Sequence, residues 1–163
     1  QKSIRGSDVD AALHYLARLL NAGDLASACR RLMVCAAEDV GLAYPQASQM
    51  AYALCETAKQ LGMPEARIPL SNCAIMLATA PKSNSAEASI DMALSDIRGG
   101  KGTTFPVHLQ APLFKGYKYP HDYPNHYVKQ QYLPDDLVGR QYYKFGENKN
   151  EQAAKAYWEN IKK

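Results

Sequence analysis

Residues 116–143 read GYKYPHDYPNHYVKQQYLPDDLVGRQYY, and this stretch separates a helical part of the chain from an irregular one. Prolines at 120, 124 and 134 lack amide donors and restrict the residues before them, so no long helix passes through. Seven of the chain's eleven tyrosines fall here. That density argues against disorder, because disordered segments are poor in aromatics. A long ordered loop in a compact domain is more often functional than decorative. The expectation is an arm from about Gly99 to Asn148 that wraps a helical body. Its rings would pack on apolar surface, with their hydroxyls at a wet edge.

Upstream of the arm the apolar residues recur at helical spacing. Ser7 is the expected cap of a first helix, with Asp8 and Asp10 in its first turn and Val9, Leu13, Leu16 and Leu20 on one face. Asp24 caps a second helix with Leu25, Cys29, Leu32 and Ala36 inward, and Gly41 ends it. Pro45 opens a third, carrying Ala47, Met50, Leu54, Ala58 and Leu61, with Gly62 beyond its end. Pro69 restarts a fourth before Leu70, Cys73, Ala74, Leu77 and Ala78. After the turn Ala80–Asn84, Ser83 or Asn84 caps a fifth helix. Ile90, Ala93, Leu94 and Ile97 are its expected buried face, and Gly99-Gly100 closes it. Glu151–Lys163 suggests a terminal helix with Ala154, Tyr157, Trp158 and Ile161. The fold expected is all-α: a five-helix bundle over 1–98, a Tyr/Pro-rich arm over 99–149 packed on it, and a short helix over 150–163.

At 163 residues and 18.0 kDa, one domain is expected. A net charge of +3 is too weak to specify a nucleic-acid binder. No apolar run approaches the ~20 residues of a membrane span. A chain that begins at Gln1 rather than Met is expected to be a piece of a longer protein. The four cysteines form no C-x-x-C pair and fall within helical patterns, which points to buried free thiols in a reducing cytoplasm. His14 lies beside the first apolar stripe and is expected to be a partly buried packing residue.

No catalytic, metal or cofactor site is expected. Gly99-Gly100-Lys101-Gly102 lacks the glycine spacing, the Ser/Thr after the lysine and the upstream strand of a phosphate loop. His121, Asp122 and His126 form the one tight His/carboxylate cluster, and a structural role suits it better than a metal. Asp122 would accept loop amides and His121 would bond across to the body. The arm also interleaves its tyrosines with Lys115, Lys118, Lys129, Arg140 and Lys144. Such a pattern can stack bases of single-stranded DNA while cations hold the backbone. Arg30, Arg31, Lys118, Lys129 and Arg140 are therefore the candidate nucleic-acid contacts.

Six short stretches carry a family resemblance. In the arm they are Tyr117-Lys118-Tyr119-Pro120-His121-Asp122-Tyr123-Pro124, Gln131-Tyr132-Leu133-Pro134 and Gly139-Arg140-Gln141-Tyr142-Tyr143. Before it come Lys2-Ser3-Ile4-Arg5-Gly6-Ser7-Asp8, Glu38-Asp39-Val40-Gly41 and Ala80-Pro81-Lys82-Ser83-Asn84. In this order they resemble the C-terminal region of the RarA family, replication-associated recombination proteins. These are clamp-loader-like AAA+ ATPases, with the Werner helicase-interacting protein as eukaryotic relative. The resemblance implies a collar-like domain that joins ATPase subunits as a homotetramer, acting in replication, recombination and repair at stalled forks. It implies ATP and magnesium on an AAA+ part outside this chain, and a full-length DNA-dependent ATPase. DNA and single-strand-binding or replisome proteins are implied partners, and a cytoplasmic, nucleoid-associated location follows. The alternative function is a single-stranded-DNA or replication-protein binding module built on the arm. Family members usually carry a longer segment between the equivalents of Leu109 and Gly116, where only Gln110–Lys115 intervene here.

Overall fold

The computed structural model describes all 163 residues, and every regular element in it is helical. The chain divides into two compact units, residues 1–86 with 146–151 and residues 87–145 with 152–163. No helix is long and apolar enough to cross a membrane.

The first unit holds α1 (Lys2–Arg5), α2 (Val9–Asn21), α3 (Leu25–Cys35), α4 (Gln46–Leu61) and α5 (Arg67–Thr79). Asp24 caps α3 by accepting the Ser27 amide at 3.1 Å. The cap of α2 is Asp8, which accepts the Ala11 amide at 2.9 Å, and not Ser7. Residues 2–5 are already a helical turn, so Ser7 belongs to its exit, at φ +58° with its amide on the Ile4 carbonyl. His14 is exposed and meets the Tyr15 ring edge-on, outside the α2 stripe that packs inward.

Helix α5 is the centre of this unit and packs against α1, α2, α3 and α4. Pro69 falls in its first turn, where a missing amide leaves no helical bond unmade. Leu70, Cys73, Ala74, Leu77 and Ala78 are buried on it. Facing them, α4 presents Ala47, Ala51, Cys55 and Ala58, all fully buried. Small side chains at this spacing let two helix axes approach closely. Met50 and Leu61, expected inward, are exposed, because they sit at the edge and the last residue of that stripe.

All four cysteines are free and essentially inaccessible. Burial pushes the Cys29 and Cys35 thiols up to about 11. Cys55 is raised too, first by its hydrogen bond with Cys73 and then by burial. Since the thiolate is the reactive form, the folded protein is expected to give no reaction with a thiol reagent at pH 8. The same assay in denaturant should count four thiols; fast reaction of any thiol in the native protein would contradict the packing.

Helix α6 (Ser85–Arg98) crosses into the second unit after Ala86. Its apolar stripe contradicts the expectation of burial: Ile90 and Ile97 are 57% exposed and Leu94 39%. The reason is Asp96, which is 6% exposed and turns the opposite face inward through ion pairs with the arm.

Between α6 and α7 (Lys149–Asn160) the chain forms only short 3-10 turns, and Pro120 and Pro124 each open one. Polar clamps order it. The Gln130 side chain accepts from the Lys118 amide at 3.1 Å and donates to the Lys118 carbonyl at 2.8 Å. The Gly102 amide reaches Asp136 at 2.8 Å, and His108 Nε2 lies 2.7 Å from the Gln131 carbonyl. Because these clamps and turns already satisfy much of the backbone, order here does not require buried rings. None of the seven tyrosines is buried: Tyr119 is 53% exposed, Tyr132 49% and Tyr123 38%. The expected packing is thereby corrected for Tyr117, Tyr119, Tyr123 and Tyr132, while Tyr127, Tyr142 and Tyr143 are half-buried. Helix α7 starts two residues before Glu151, with Asn148 Oδ1 accepting the Glu151 amide at 2.8 Å.

Candidate functional site

Three stretches far apart in sequence meet in the first unit. Arg5, at the end of α1, donates Nη2 to Glu38 at 2.9 Å and Nε to Asp39 at 2.5 Å. Both carboxylates stand on a wide π-turn, Ala36–Val40, that continues α3. The Asp39 side chain is nearly inaccessible and its second oxygen, Oδ2, has no partner. The turn that joins α5 to α6 closes the cluster. There the Ser83 amide donates to the Asp39 carbonyl at 2.8 Å. Lys82 Nζ donates to Ser7 Oγ at 3.2 Å and to the carbonyls of Ala78 and Ala80 at 3.0 and 2.6 Å. Burial lowers the Lys82 pKa, with the Asp39 charge opposing it. Gly41 ends the π-turn at φ +48°, and a Cβ built there would stand 2.8 Å from the Ser83 carbonyl oxygen.

Of the predicted motif residues, Arg5, Ser7, Lys82 and Ser83 are thus brought together. Gly6 and Asp8 shape the α1–α2 link beside them, and the Ser83 hydroxyl receives the Ser85 amide at 3.3 Å as α6 begins. Pro81 and Asn84 are exposed in that same turn. Most of this network is taken by structure: two carboxylates share one guanidinium, and an ammonium caps carbonyls, while Asp39 Oδ2 is left without a partner. Its one hydroxyl–amine pair, Ser7 Oγ and Lys82 Nζ, has the amine fastened to two carbonyls as well. Its chemistry is that of a rigid joint.

The second unit has its own knot around Asp96. Arg140 donates to it at 2.8 and 3.5 Å, the Tyr142 hydroxyl at 2.9 Å, and Lys101 Nζ lies at 3.5 Å. Arg140, a candidate nucleic-acid contact, is therefore committed to an internal carboxylate. Asp96 itself escaped the sequence reading, since one carboxylate inside an apolar helix pattern passes for a solvated residue. The Arg140 hydrogen bond, against the opposing effect of burial, and then Tyr142 hold Asp96 below the ordinary carboxylate range. A carboxylate with a depressed folded pKa stabilises above its unfolded value, about 3.9, and that contribution disappears as pH falls through the folded pKa. Thermal melts of the wild type and Asp96→Asn should differ at pH 7 and converge as the pH falls below about 4. A constant gap across that range would exclude this role.

The remaining candidates are dispersed. In the arm, His121 sits between the rings of Tyr119 (5.1 Å) and His126 (4.9 Å), and Asp122 is exposed without receiving a loop amide, contrary to expectation. The 3-10 turns bond carbonyl to amide within themselves, which leaves the carboxylate nothing to cap. Pro124 and Tyr123 are likewise at the surface. Lys118 and Lys129 are exposed on this arm. Arg30 is exposed on α3, and Arg31 reaches Gln1 Oε1 at 3.4 Å.

Against known proteins, residues 6–162 match the family described as MgsA AAA+ ATPase C terminal. The chain belongs to that family. It is 53% identical to replication-associated recombination protein A of Bacillus subtilis, covering all of this chain and 41% of the relative. Its identity to the protein of that name in Escherichia coli K12 is 38%, over 87% of the chain and 34% of the relative. ATPase WRNIP1 of Dictyostelium discoideum is 33% identical over 88% of the chain and 18% of its own length. The chain thus spans less than half the length of the relatives it matches. The B. subtilis alignment runs to 173 positions, ten more than this chain's 163 residues.

Proposed function

We propose that this chain is the assembly domain of a RarA-type AAA+ ATPase that acts on DNA in replication-associated recombination and repair. The observation that carries the reading is the exposed apolar stripe of α6, Ile90, Leu94 and Ile97. Contiguous apolar surface of this kind marks interaction sites, and a homo-oligomer with closed symmetry is the usual outcome. A tetramer is the proposed order, in keeping with a clamp-loader-like particle. ATP and magnesium belong to the AAA+ part of the longer protein, which hydrolyses ATP in response to DNA. DNA and replisome proteins are the proposed partners of that particle, in the cytoplasm at the nucleoid.

A second reading draws on a different observation. With Tyr119, Tyr123 and Tyr132 exposed beside Lys118 and Lys129, the arm has rings free for base stacking, each worth ~1–3 kcal/mol. Sedimentation at tens of micromolar chain, with and without a single-stranded oligonucleotide, separates the two. Assembly predicts a multiple of 18.0 kDa without DNA, unchanged in Tyr119→Ala. A monomer that binds the oligonucleotide, and loses it in Tyr119→Ala, would put the binding module in first place.

A further inference from the structure

The α6 stripe has a pattern that selects its partner. Ile90, Leu94 and Ile97 follow at i, i+4 and i+7, so at 3.6 residues per turn they form one line along the helix. Asp91 and Arg98, themselves i and i+7, lie together on one flank of that line. Both are exposed, and neither takes part in any of the ion pairs within the chain.

In an antiparallel helix pair, each flank faces the same flank of the other copy. A register centred on Leu94 then satisfies every residue at once. Ile90 comes opposite Ile97 of the second copy, Leu94 opposite itself, and Asp91 opposite Arg98, each unlike pair occurring twice. A parallel pairing would instead set Ile90 on Ile90 and carry the two charged flanks to opposite sides of the seam, leaving Asp91 and Arg98 without partners.

We propose that α6 is an isologous contact, in which the partner is the α6 of a second copy of this chain, antiparallel and centred on Leu94. This deepens the assembly reading and rests on it. The alternating stripe supplies the apolar centre, and the Asp91–Arg98 pairs set direction and register. Such charges contribute more to specificity than to affinity. A seam this short falls below the about 1,200 Å² of a stable free-standing interface, so it serves as one contact of a larger particle.

Cysteine pairing reads the register directly, because the four native thiols are inaccessible. Under mild oxidation Leu94→Cys should form a covalent dimer with itself. Ile90→Cys mixed with Ile97→Cys should cross-link to each other in preference to themselves. In sedimentation Asp91→Arg should weaken association by about tenfold or more, since like charges are then opposed twice. Arg98→Asp added to Asp91→Arg should restore it. An oligomeric wild type in which Leu94→Cys stays uncross-linked and Asp91→Arg associates normally would overturn the α6 contact and leave assembly standing. A wild type that is monomeric at tens of micromolar would overturn both.

Discussion

Gly41→Ala is expected to destabilise the first unit by about 2–4 kcal/mol, from a strained backbone together with an overpacked contact. Gly41 stands at φ +48° and ψ −130°, a region open to glycine and nearly closed to residues with a Cβ. The added methyl would also meet the Ser83 carbonyl oxygen at 2.8 Å. That carbonyl has little room to retreat, because the Ser83 amide is bonded to Asp39 and Lys82 is fastened to three oxygens alongside. At this chain length, about 3 kcal/mol corresponds to a melting temperature lower by roughly 6–12 °C. A control at Gly23, also at positive φ but with open space around it, should lose less. Equal losses at the two sites would mean that backbone strain alone matters and that the contact with Ser83 does not.

Arg5→Ala should have an effect of similar size. Removing one member of a buried ion pair leaves the other charge uncompensated, typically at about 3–5 kcal/mol. Arg5 is half exposed while Asp39 is only 3% accessible, so water can partly replace the guanidinium but cannot reach most of the carboxylate. The lower end, about 3 kcal/mol, is therefore expected. Asp39 Oδ2 already lacks a partner, which leaves the site no reserve. Asp39→Asn removes the charge that Arg5 neutralises, so the double variant Arg5→Ala/Asp39→Asn should recover part of the loss. Urea unfolding of the four proteins of this cycle measures the coupling. A coupling near zero would show that Arg5 and Asp39 act independently and that the joint is held by the Ser83 and Lys82 bonds alone.

Both predictions concern residues whose importance was visible in the sequence as motif, but whose reason was not. Lys2–Asp8, Glu38–Gly41 and Ala80–Asn84 stood out as separate stretches, and nothing local in them indicates that Arg5, Asp39 and Ser83 touch. The contact is made by the packing of α1, α3 and α5, at separations of 34 residues for Arg5–Asp39. The Asp96 knot repeats the point across 44 residues to Arg140.

What the sequence determined by itself is the set of longer helices and their approximate ends, while the short α1 turn went unread. Apolar periodicity, the Asp24 cap, Pro45, Gly62 and Gly99-Gly100 act within one or two turns, and local forces of that kind are legible without a fold. The irregular course of 99–148 was legible for the same reason, since proline acts on its own neighbours. Tertiary structure alone decided which face of each helix is covered. On α6 periodicity offered Ile90, Leu94 and Ile97 as the inner face, yet the pairing of Asp96 with Arg140 and Tyr142 turned the helix the other way. The tyrosines follow the same logic. Aromatic content implied order, but Gln130 and the 3-10 turns order the arm through its backbone and leave four of the seven rings exposed. A buried carboxylate must find its donors or be strongly destabilising, and that demand, which depends on residues far away in the chain, outweighs the local preference of an apolar stripe.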